Sequence, residues 1–333
     1  MKYFGEYILG WRGESGIKAD KGTITHKVLE ILAKIKLADQ QNPNRGKEIF
    51  WDIEDDTIGK VNCYPLDLHQ ICERVFNYYS KIKDQPWTDK DFTDCELWVN
   101  KAIDFNGGAF NPLNMNIVSP EQRFDLIIDE PWAHYVYVLD GKKIEGQLGL
   151  KGTIDLITEP MPGTYEIVDW KTGRRLNWAT GEEKTHDKLM SDPQLMMYFL
   201  AASKLYPHIE NIMVTIDFIN DGGPFSLCYS KSDIPRTLEM LKEKFEYIKA
   251  TKIPKQSRSW KCTKFCHFGK NTFANTEIKP IMEFRNGQVC ARGQTMTMCE
   301  QMNFELYKKG IDRTVKEYKA STHDIGFYQN PGE

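Results

Sequence analysis

No stretch of the 333 residues approaches the ~20 consecutive apolar side chains that a bilayer-spanning helix needs. The opening run MKYFGEYILGWRGES has neither an apolar core of signal-peptide length nor a small-residue cleavage site. Both absences point to a cytoplasmic chain that does not engage a membrane. Eight cysteines are too few for a disulfide scaffold, and a reducing compartment leaves such thiols free or available to metal. Internal repeats and low-complexity tracts are missing, which excludes repeat architectures. An excess of positive charge is missing too: the formal net charge is −3. That balance argues against a passive coat for nucleic acid. It leaves room for an enzyme whose basic side chains line one groove, because acids clustered at a metal site offset the total. The rest is an ordinary globular composition, long enough for one large core with an inserted subdomain and a tail.

Ile24, Val28, Leu29, Leu32 and Ile35 follow Gly22-Thr23 at helical spacing and predict a first helix. A polar stretch near 41–47 and acidic residues over 52–56 come next. Residues 66–83 and 89–105 both read as helices, and the loop NGGAFNPLN closes this block. From about residue 117 short β-rich runs take over: RFDLIID, HYVYVLD, KGTIDLIT and TYEIVDW. A helix over 187–205 follows. IMVTIDFI and FSLCYS then read as strands joined by NDGGP, and 232–250 reads as an amphipathic helix. This order predicts an α/β fold with a mixed sheet and helices packed on it. Four regions emerge: 1–40 as the first part of the core, 41–116 as a helical insertion, 117–250 as the rest of the core, and 251–333 as a basic, cysteine-containing C-terminal region.

The chemistry sits in two β-rich runs. Asp169 and Lys171, in IVDWKTG, are two apart on a predicted strand, so both point to one face. Asp155, in GTID, stands near the end of the neighbouring strand of a hairpin and offers a second carboxylate. Two acids and an ammonium on one surface suit phosphodiester hydrolysis: a metal polarises the phosphate and acidifies water, while the lysine orients the attacking water or stabilises charge. Carboxylate oxygens select Mg²⁺ or Mn²⁺. The plainer alternative makes Asp169 and Lys171 a solvated strand-end pair and Asp155 a turn residue. Buried strand before the pair and basic loop after it weigh against that, since charges at the mouth of a buried strand are costly. Gln194 and Tyr198 stand four apart on one helix face, as do His26 and Glu30. Each pair alone would be ordinary helix surface.

Taken in order, GTITHKVLE with His26 and Glu30, GTID with Asp155, IVDWKTG with Asp169 and Lys171, and QLMMY with Gln194 and Tyr198 resemble the motifs of RecB-like nucleases. That branch of the PD-(D/E)XK nuclease superfamily includes CRISPR-associated adaptation nucleases and phage exonucleases. The likeness runs from about residue 7 to about 267. It implies a restriction-endonuclease-like core, and metal held by His26, Asp155, Asp169 and the backbone carbonyl of Trp170. It gives Lys171 to the nucleophilic water and lets Gln194 and Tyr198 complete the site and touch DNA. Glu121, in SPEQRF, matches a glutamate that often precedes the strand cluster.

Cys262, Cys266, Cys290 and Cys299 form a C-terminal group. Many RecB-like nucleases pin this region with an iron–sulfur cluster that also uses an N-terminal cysteine. Here no cysteine precedes His26, and the spacing C-x3-C-x23-C-x8-C is looser. A [4Fe–4S] cluster, Zn²⁺, a site in which His267 replaces one thiolate, and four unlinked thiols all remain open. Cys63, Cys72, Cys95 and Cys228 read as core residues. Lys171, Arg174 and Arg175 flank the acids. Lys252, Lys255, Arg258, Lys261 and Lys264, with Trp260 and Phe265 interleaved, make a second basic stretch that suits DNA ends or single-stranded regions. The expectation is a metal-dependent DNA nuclease, an exonuclease of little sequence preference. It would act in recombination, repair or degradation, with a helicase or recombination protein as a further partner. The competing readings are a non-catalytic DNA-binding or assembly subunit and a hydrolase of another phosphoester.

Overall fold

The computed structural model describes residues 2, 4–10, 15–42, 51–83, 85–139, 142–176, 181–251, 256–264, 266–272 and 296–318. The chain divides into two compact units, residues 16–245 and residues 1–15 with 246–333.

The larger unit opens with α1 (Ile17–Gln41), whose Ile24, Val28, Leu29, Ile31 and Leu32 are all buried. A hairpin follows, β1 (Asp52–Asp55) with β2 (Gly59–Asn62), then α2 (Leu68–Ile82) and α3 (Asp89–Asp104). The stretch expected to be a helical insertion therefore carries a β-hairpin as well. Its turn is set locally: Asp55 Oδ1 accepts from the backbone N–H groups of Thr57 and Ile58, and Gly59 takes φ +69°. Asp67 caps α2 by accepting from Gln70 N, and a Thr88–Asp91 capping box starts α3.

The main sheet has the strand order β3-β6-β7-β8-β9. These are β3 (Ile117–Ile127), β6 (Gly149–Met161), β7 (Thr164–Lys171), β8 (Asn211–Phe218) and β9 (Gly223–Ser230). A second hairpin, β4 (His134–Leu139) with β5 (Lys142–Gln147), interrupts the order between β3 and β6. β7 and β8 are parallel and the other neighbours antiparallel. A parallel pair needs a crossover. It is supplied by α4 (His186–Met190) and α5 (Pro193–Leu205), and α6 (Ile234–Ala250) follows β9. One helix was expected over 187–205. Asp192-Pro193 splits it, because proline cannot donate to the turn before it and the preceding residue is held extended; Asp192 then caps α5.

Alternation along β7 explains the layering. Val168 and Trp170 pack with α1, while Ile167 packs with Leu195, Phe199 and Ala202 of α5. The architecture is mixed α/β, a five-stranded sheet between helices, consistent with a restriction-endonuclease-like fold. The smaller unit contains α7 (Trp260–Lys264), α8 (His267–Lys270), α9 (Met298–Lys309) and α10 (Ile311–Tyr318), around Phe4, Leu9, Phe268, Met302 and Leu306. Among the described residues no helix is long and apolar enough to cross a membrane.

Candidate active site

Two glycines let the elements meet. A Cβ on Gly22 of α1 would come 2.9 Å from Thr172 Oγ1, so glycine there allows α1 to lie against the end of β7. A Cβ on Gly152 of β6 would strike the Phe124 ring at 2.5 Å. Phe124 is the β3 partner of Gly152 and meets Tyr198 edge-on, with ring centroids 6.4 Å apart. The glycine in GTID thus makes room for the ring that Tyr198 of α5 packs against.

His26 of α1 then reaches over the sheet. Its Nδ1 lies 3.4 Å from Asp155 Oδ2, and that oxygen accepts from Trp170 N at 3.0 Å. Asp155 is not near the end of β6, where the sequence put it, but inside the strand. It stands opposite Asp169 one step past the Leu156–Val168 pair. Lys171 Nζ donates to Asp169 Oδ1 at 2.8 Å, and Gln194 Nε2 approaches the same oxygen at 3.4 Å. Gln194 Nε2 also donates to Tyr198 OH at 2.7 Å. The Trp170 backbone lies beside the His26 ring, and the Trp170 indole is edge-on to it, with ring centroids 6.1 Å apart. Every residue expected at the active site, from helix and strand alike, is therefore in one place.

The electrostatics are those of a site short of positive charge. Burial first, opposed by the Lys171 ammonium, holds the Asp155 and Asp169 carboxyls above the usual carboxylate range. Burial, reinforced by Lys171, pushes His26 down to about 4, so its ring is neutral at pH 7. Tyr198 is raised by burial and then by the charge of Asp169. Glu121 joins this group from β3. It breaks the ladder between Pro120–Leu156 and Gln122–Ile154, taking φ +47°, a conformation that costs a residue with a side chain about 1–2 kcal/mol. Burial, then Glu30 and Asp155, raise Glu121 to about 7.

The donor set fits a divalent cation. Asp169 is 1% exposed, and its two oxygens share the Lys171 ammonium, 2.8 Å from Oδ1 and 2.6 Å from Oδ2, with no further donor to Oδ2 among the described residues. Two carboxylates, a neutral imidazole and a carbonyl converge with one ammonium between them, leaving negative charge that a cation offsets.

The sequence profile of the PD-(D/E)XK nuclease superfamily matches residues 1–270. The chain belongs to this superfamily. Comparison with curated proteins gives no match. PD-(D/E)XK nucleases use divalent metals, and the strand pair β6–β7 of this chain carries Asp155, Asp169 and Lys171.

Three further features of the nuclease escaped sequence reasoning. Glu30 of α1 meets Asp55 and Asp56 of the first hairpin, with carboxylate oxygens within 4.8 Å of one another. The ammoniums of Lys27 and Lys34 already lie among them, Lys27 Nζ at 2.9 Å from Glu30, 3.1 Å from Asp55 and 2.8 Å from Asp56. Lys27 first, through its hydrogen bond, holds Asp56 down at about 2. The cluster is thus an ion-pair network that ties the hairpin to α1 one residue past His26. Its sequence signal is slight: Lys27, Glu30 and Lys34 recur at i, i+3 and i+7 on one helix face, and the acidic run DIEDD follows. The second feature is Asp217 of β8, 1% exposed and paired in register with Trp170. Among the described residues neither its carboxylate oxygens nor the Trp170 indole nitrogen has a hydrogen-bond partner. The third is the backbone turn at Glu121.

The cysteines are less gathered. Cys262, Cys266 and Cys299 belong to the smaller unit, and Cys290 lies outside the described residues. Burial first, then the nearby Cys266 and Cys262, raise the Cys299 thiol to about 11. Among the described residues the three sulfurs are not all within 4.8 Å of one another, the spacing expected around a single ion. Cys262 Sγ instead accepts from Ser259 N at 3.4 Å. Cys63, Cys72 and Cys95 are buried as expected, but Cys228 is exposed. Of the second basic stretch, Arg258, Trp260, Lys261 and Lys264 are described, with Arg258 paired to Glu300; Lys252, Lys255 and Phe265 lie outside the described residues.

Proposed function

We propose that this chain is a metal-dependent deoxyribonuclease of the RecB-like branch, cutting DNA from its ends with little sequence preference. The observation that carries this is the meeting of His26, Asp155 and the Trp170 backbone around the buried Asp169 carboxylate, with the Lys171 ammonium against both Asp169 oxygens. His26, Asp155, Asp169 and the Trp170 carbonyl would hold Mg²⁺ or Mn²⁺, which when bound polarises the phosphate and acidifies water. Lys171, the one ammonium against Asp169, orients the attacking water and offsets charge that develops on the phosphate. Gln194 fixes the Asp169 carboxylate from α5, and Tyr198 fixes Gln194. Among the described residues nothing in the site presents a pattern of donors and acceptors that reads base edges. Incubating end-labelled linear, nicked and circular DNA with Mg²⁺, with Mn²⁺ and with EDTA tests the reading. Metal-dependent loss of linear DNA is expected; binding without cleavage in every metal would identify a non-catalytic DNA-binding subunit instead.

His26 sets a metal preference. An imidazole nitrogen is softer than carboxylate oxygen, whereas Mg²⁺ favours oxygen and retained water, so the site should hold Mn²⁺ more tightly. His26→Ala is expected to weaken the rise in melting temperature that Mn²⁺ produces, and to lower activity with partial rescue at high metal. Superimposable Mn²⁺ and Mg²⁺ titrations for wild type and variant would remove His26 from the ligand set.

A thiolate site in the smaller unit is proposed separately, from Cys262, Cys266, Cys290 and Cys299, with His267 as an alternative to one thiolate. Anaerobically purified protein should then carry about one zinc or one four-iron cluster per chain. Metal analysis that finds neither leaves the cysteines as unlinked thiols.

A further inference from the structure

The turn Ile219-Asn220-Asp221-Gly222 joins β8 to β9, and it grips the chain just after β7. Ile219 N donates to the Lys171 carbonyl at 3.1 Å, which continues the β7–β8 ladder. Asn220 Nδ2 donates to the Thr172 carbonyl at 3.2 Å, and Asp221 Oδ2 accepts from Arg175 N at 2.7 Å. These last two bonds are made by side chains, so they depend on residue type. The turn is itself held. Asp221 N donates to the Phe218 carbonyl at 2.8 Å, and Lys101 of α3 donates to Asn220 Oδ1 at 3.2 Å. Gly222 and Gly223 take φ +91° and +81°, and a Cβ on Gly223 would strike the Phe105 ring.

The gripped loop carries two adjacent arginines in different surroundings. Arg175 is engaged within the protein: its guanidinium lies 4.9 Å from the Phe225 ring centre and pairs with Glu183. Its carbonyl accepts from Lys184 N at 3.0 Å. Arg174 is exposed and lines a cleft shared with Asp169, Lys171 and Lys184, and among the described residues no carboxylate pairs with it. Lys184 is tied to Asp192, the cap of α5, at 3.1 Å. Holding the Thr172 carbonyl and Arg175 N fixes the backbone on both sides of Gly173-Arg174, where glycine does little to hold a conformation by itself. We propose that Asn220 and Asp221 are positioning residues: they set this loop so that Arg174, and not Arg175, takes a phosphate of the DNA strand beside the metal site. The inference rests on the nuclease reading above and adds a division of labour between its cations. An arginine on a loop already ordered binds phosphate without the cost of ordering that loop.

The test reads how the binding of linear DNA in Ca²⁺ depends on salt, since each phosphate contact adds roughly one to the slope of log Kd against log salt. Arg174→Ala should lower that slope by about one. Asp221→Ala and Asp221→Asn remove the same charge, but only the amide can still accept from Arg175 N. Asp221→Ala should therefore lose most of what Arg174→Ala loses and bind several-fold more weakly than Asp221→Asn, which keeps the wild-type slope. On an Arg174→Ala background, Asp221→Ala should cause no further loss. In cleavage with Mn²⁺ the loss should fall on KM and spare kcat, because the Lys171 carbonyl is still held by Ile219 N. Equal behaviour of Asp221→Ala and Asp221→Asn, or a loss that adds in full to that of Arg174→Ala, would overturn the role of the turn. An unchanged slope in Arg174→Ala would overturn the phosphate contact. Should Asp221→Ala not fold, Asn220→Ala decides, since it removes the donor to Thr172 without changing charge. A loss that vanishes on the Arg174→Ala background upholds the proposal; a wild-type slope or a fully additive loss rejects it. A wild type that binds DNA but cleaves it in no metal would overturn the nuclease reading alone, because the slopes are read without cleavage.

Discussion

Asp169→Ala is expected to lower DNA cleavage by roughly 10³-fold or more, the scale of the several kcal/mol that a bound metal contributes to such a transition state. The fold should survive. Asp169 contributes no apolar volume to the core, and in the metal-free protein its carboxylate is buried opposite Asp155, where the two charges repel. Removing one relieves that repulsion. Lys171, about a third exposed, can turn to solvent once its partner is gone. The melting temperature without metal should therefore be unchanged or slightly higher, while the stabilisation that Mn²⁺ gives the wild type disappears. DNA binding in Ca²⁺ should be retained in part through Arg174 and Lys184. A purified variant that cleaves at the wild-type rate would dismiss Asp169 as a metal ligand.

Lys171→Ala is expected to reduce kcat by roughly 10²–10³-fold, the range found when one donor to developing transition-state charge is removed. DNA affinity in Ca²⁺ should change by only a few-fold, because Arg174 and Lys184 still face the same cleft. The two readings of this lysine differ in how the loss is divided. A group that acts at the transition state lowers kcat and leaves binding nearly intact; a mere phosphate contact lowers both together. Equal losses in turnover and affinity would therefore reassign it. Lys171→Arg separates charge from geometry: guanidinium keeps the charge but presents a planar fork where a compact ammonium sits between the two Asp169 oxygens, so recovery should be small.

Much of the core was legible because it is local. The spacing of Ile24, Val28 and Leu32 marks α1, and the alternation in TYEIVDW separates the residues that face α1 from those that face α5. The site residues were legible as types at intervals: Asp169 and Lys171 share a face by the period of a strand, Gln194 and Tyr198 by the turn of a helix. Their convergence was not derivable from spacing. It depends on α1 crossing the sheet at Gly22 and on Phe124 covering Gly152, and both are contacts between residues distant in the chain. Other features resisted for the same reason. KKIEGQ has little strand character, yet it pairs as β5 because HYVYVL lies opposite. Asp217 is a charge in an apolar strand, buried by its neighbours rather than by its own preference. Glu121 adopts a left-handed backbone that nothing in SPEQRF announces. The four-cysteine reading extends to a residue outside the described part of the chain, so spacing is all that bears on it.

The way the site is pieced together has a consequence for its own synthesis. The side chains gathered there come from α1, β6, β7 and α5, so the earliest sits at residue 26 and the latest at residue 198. A ribosome delivers them in that order, and a nascent chain halted before α5 holds both acids and the lysine without the glutamine that steadies them. β7 at that stage also lacks β8, its parallel neighbour, whose pairing must wait for the crossover to be made. The growing polypeptide therefore carries its acids and lysine in an unfinished arrangement, and the site is complete only once α5 has emerged and the domain closes.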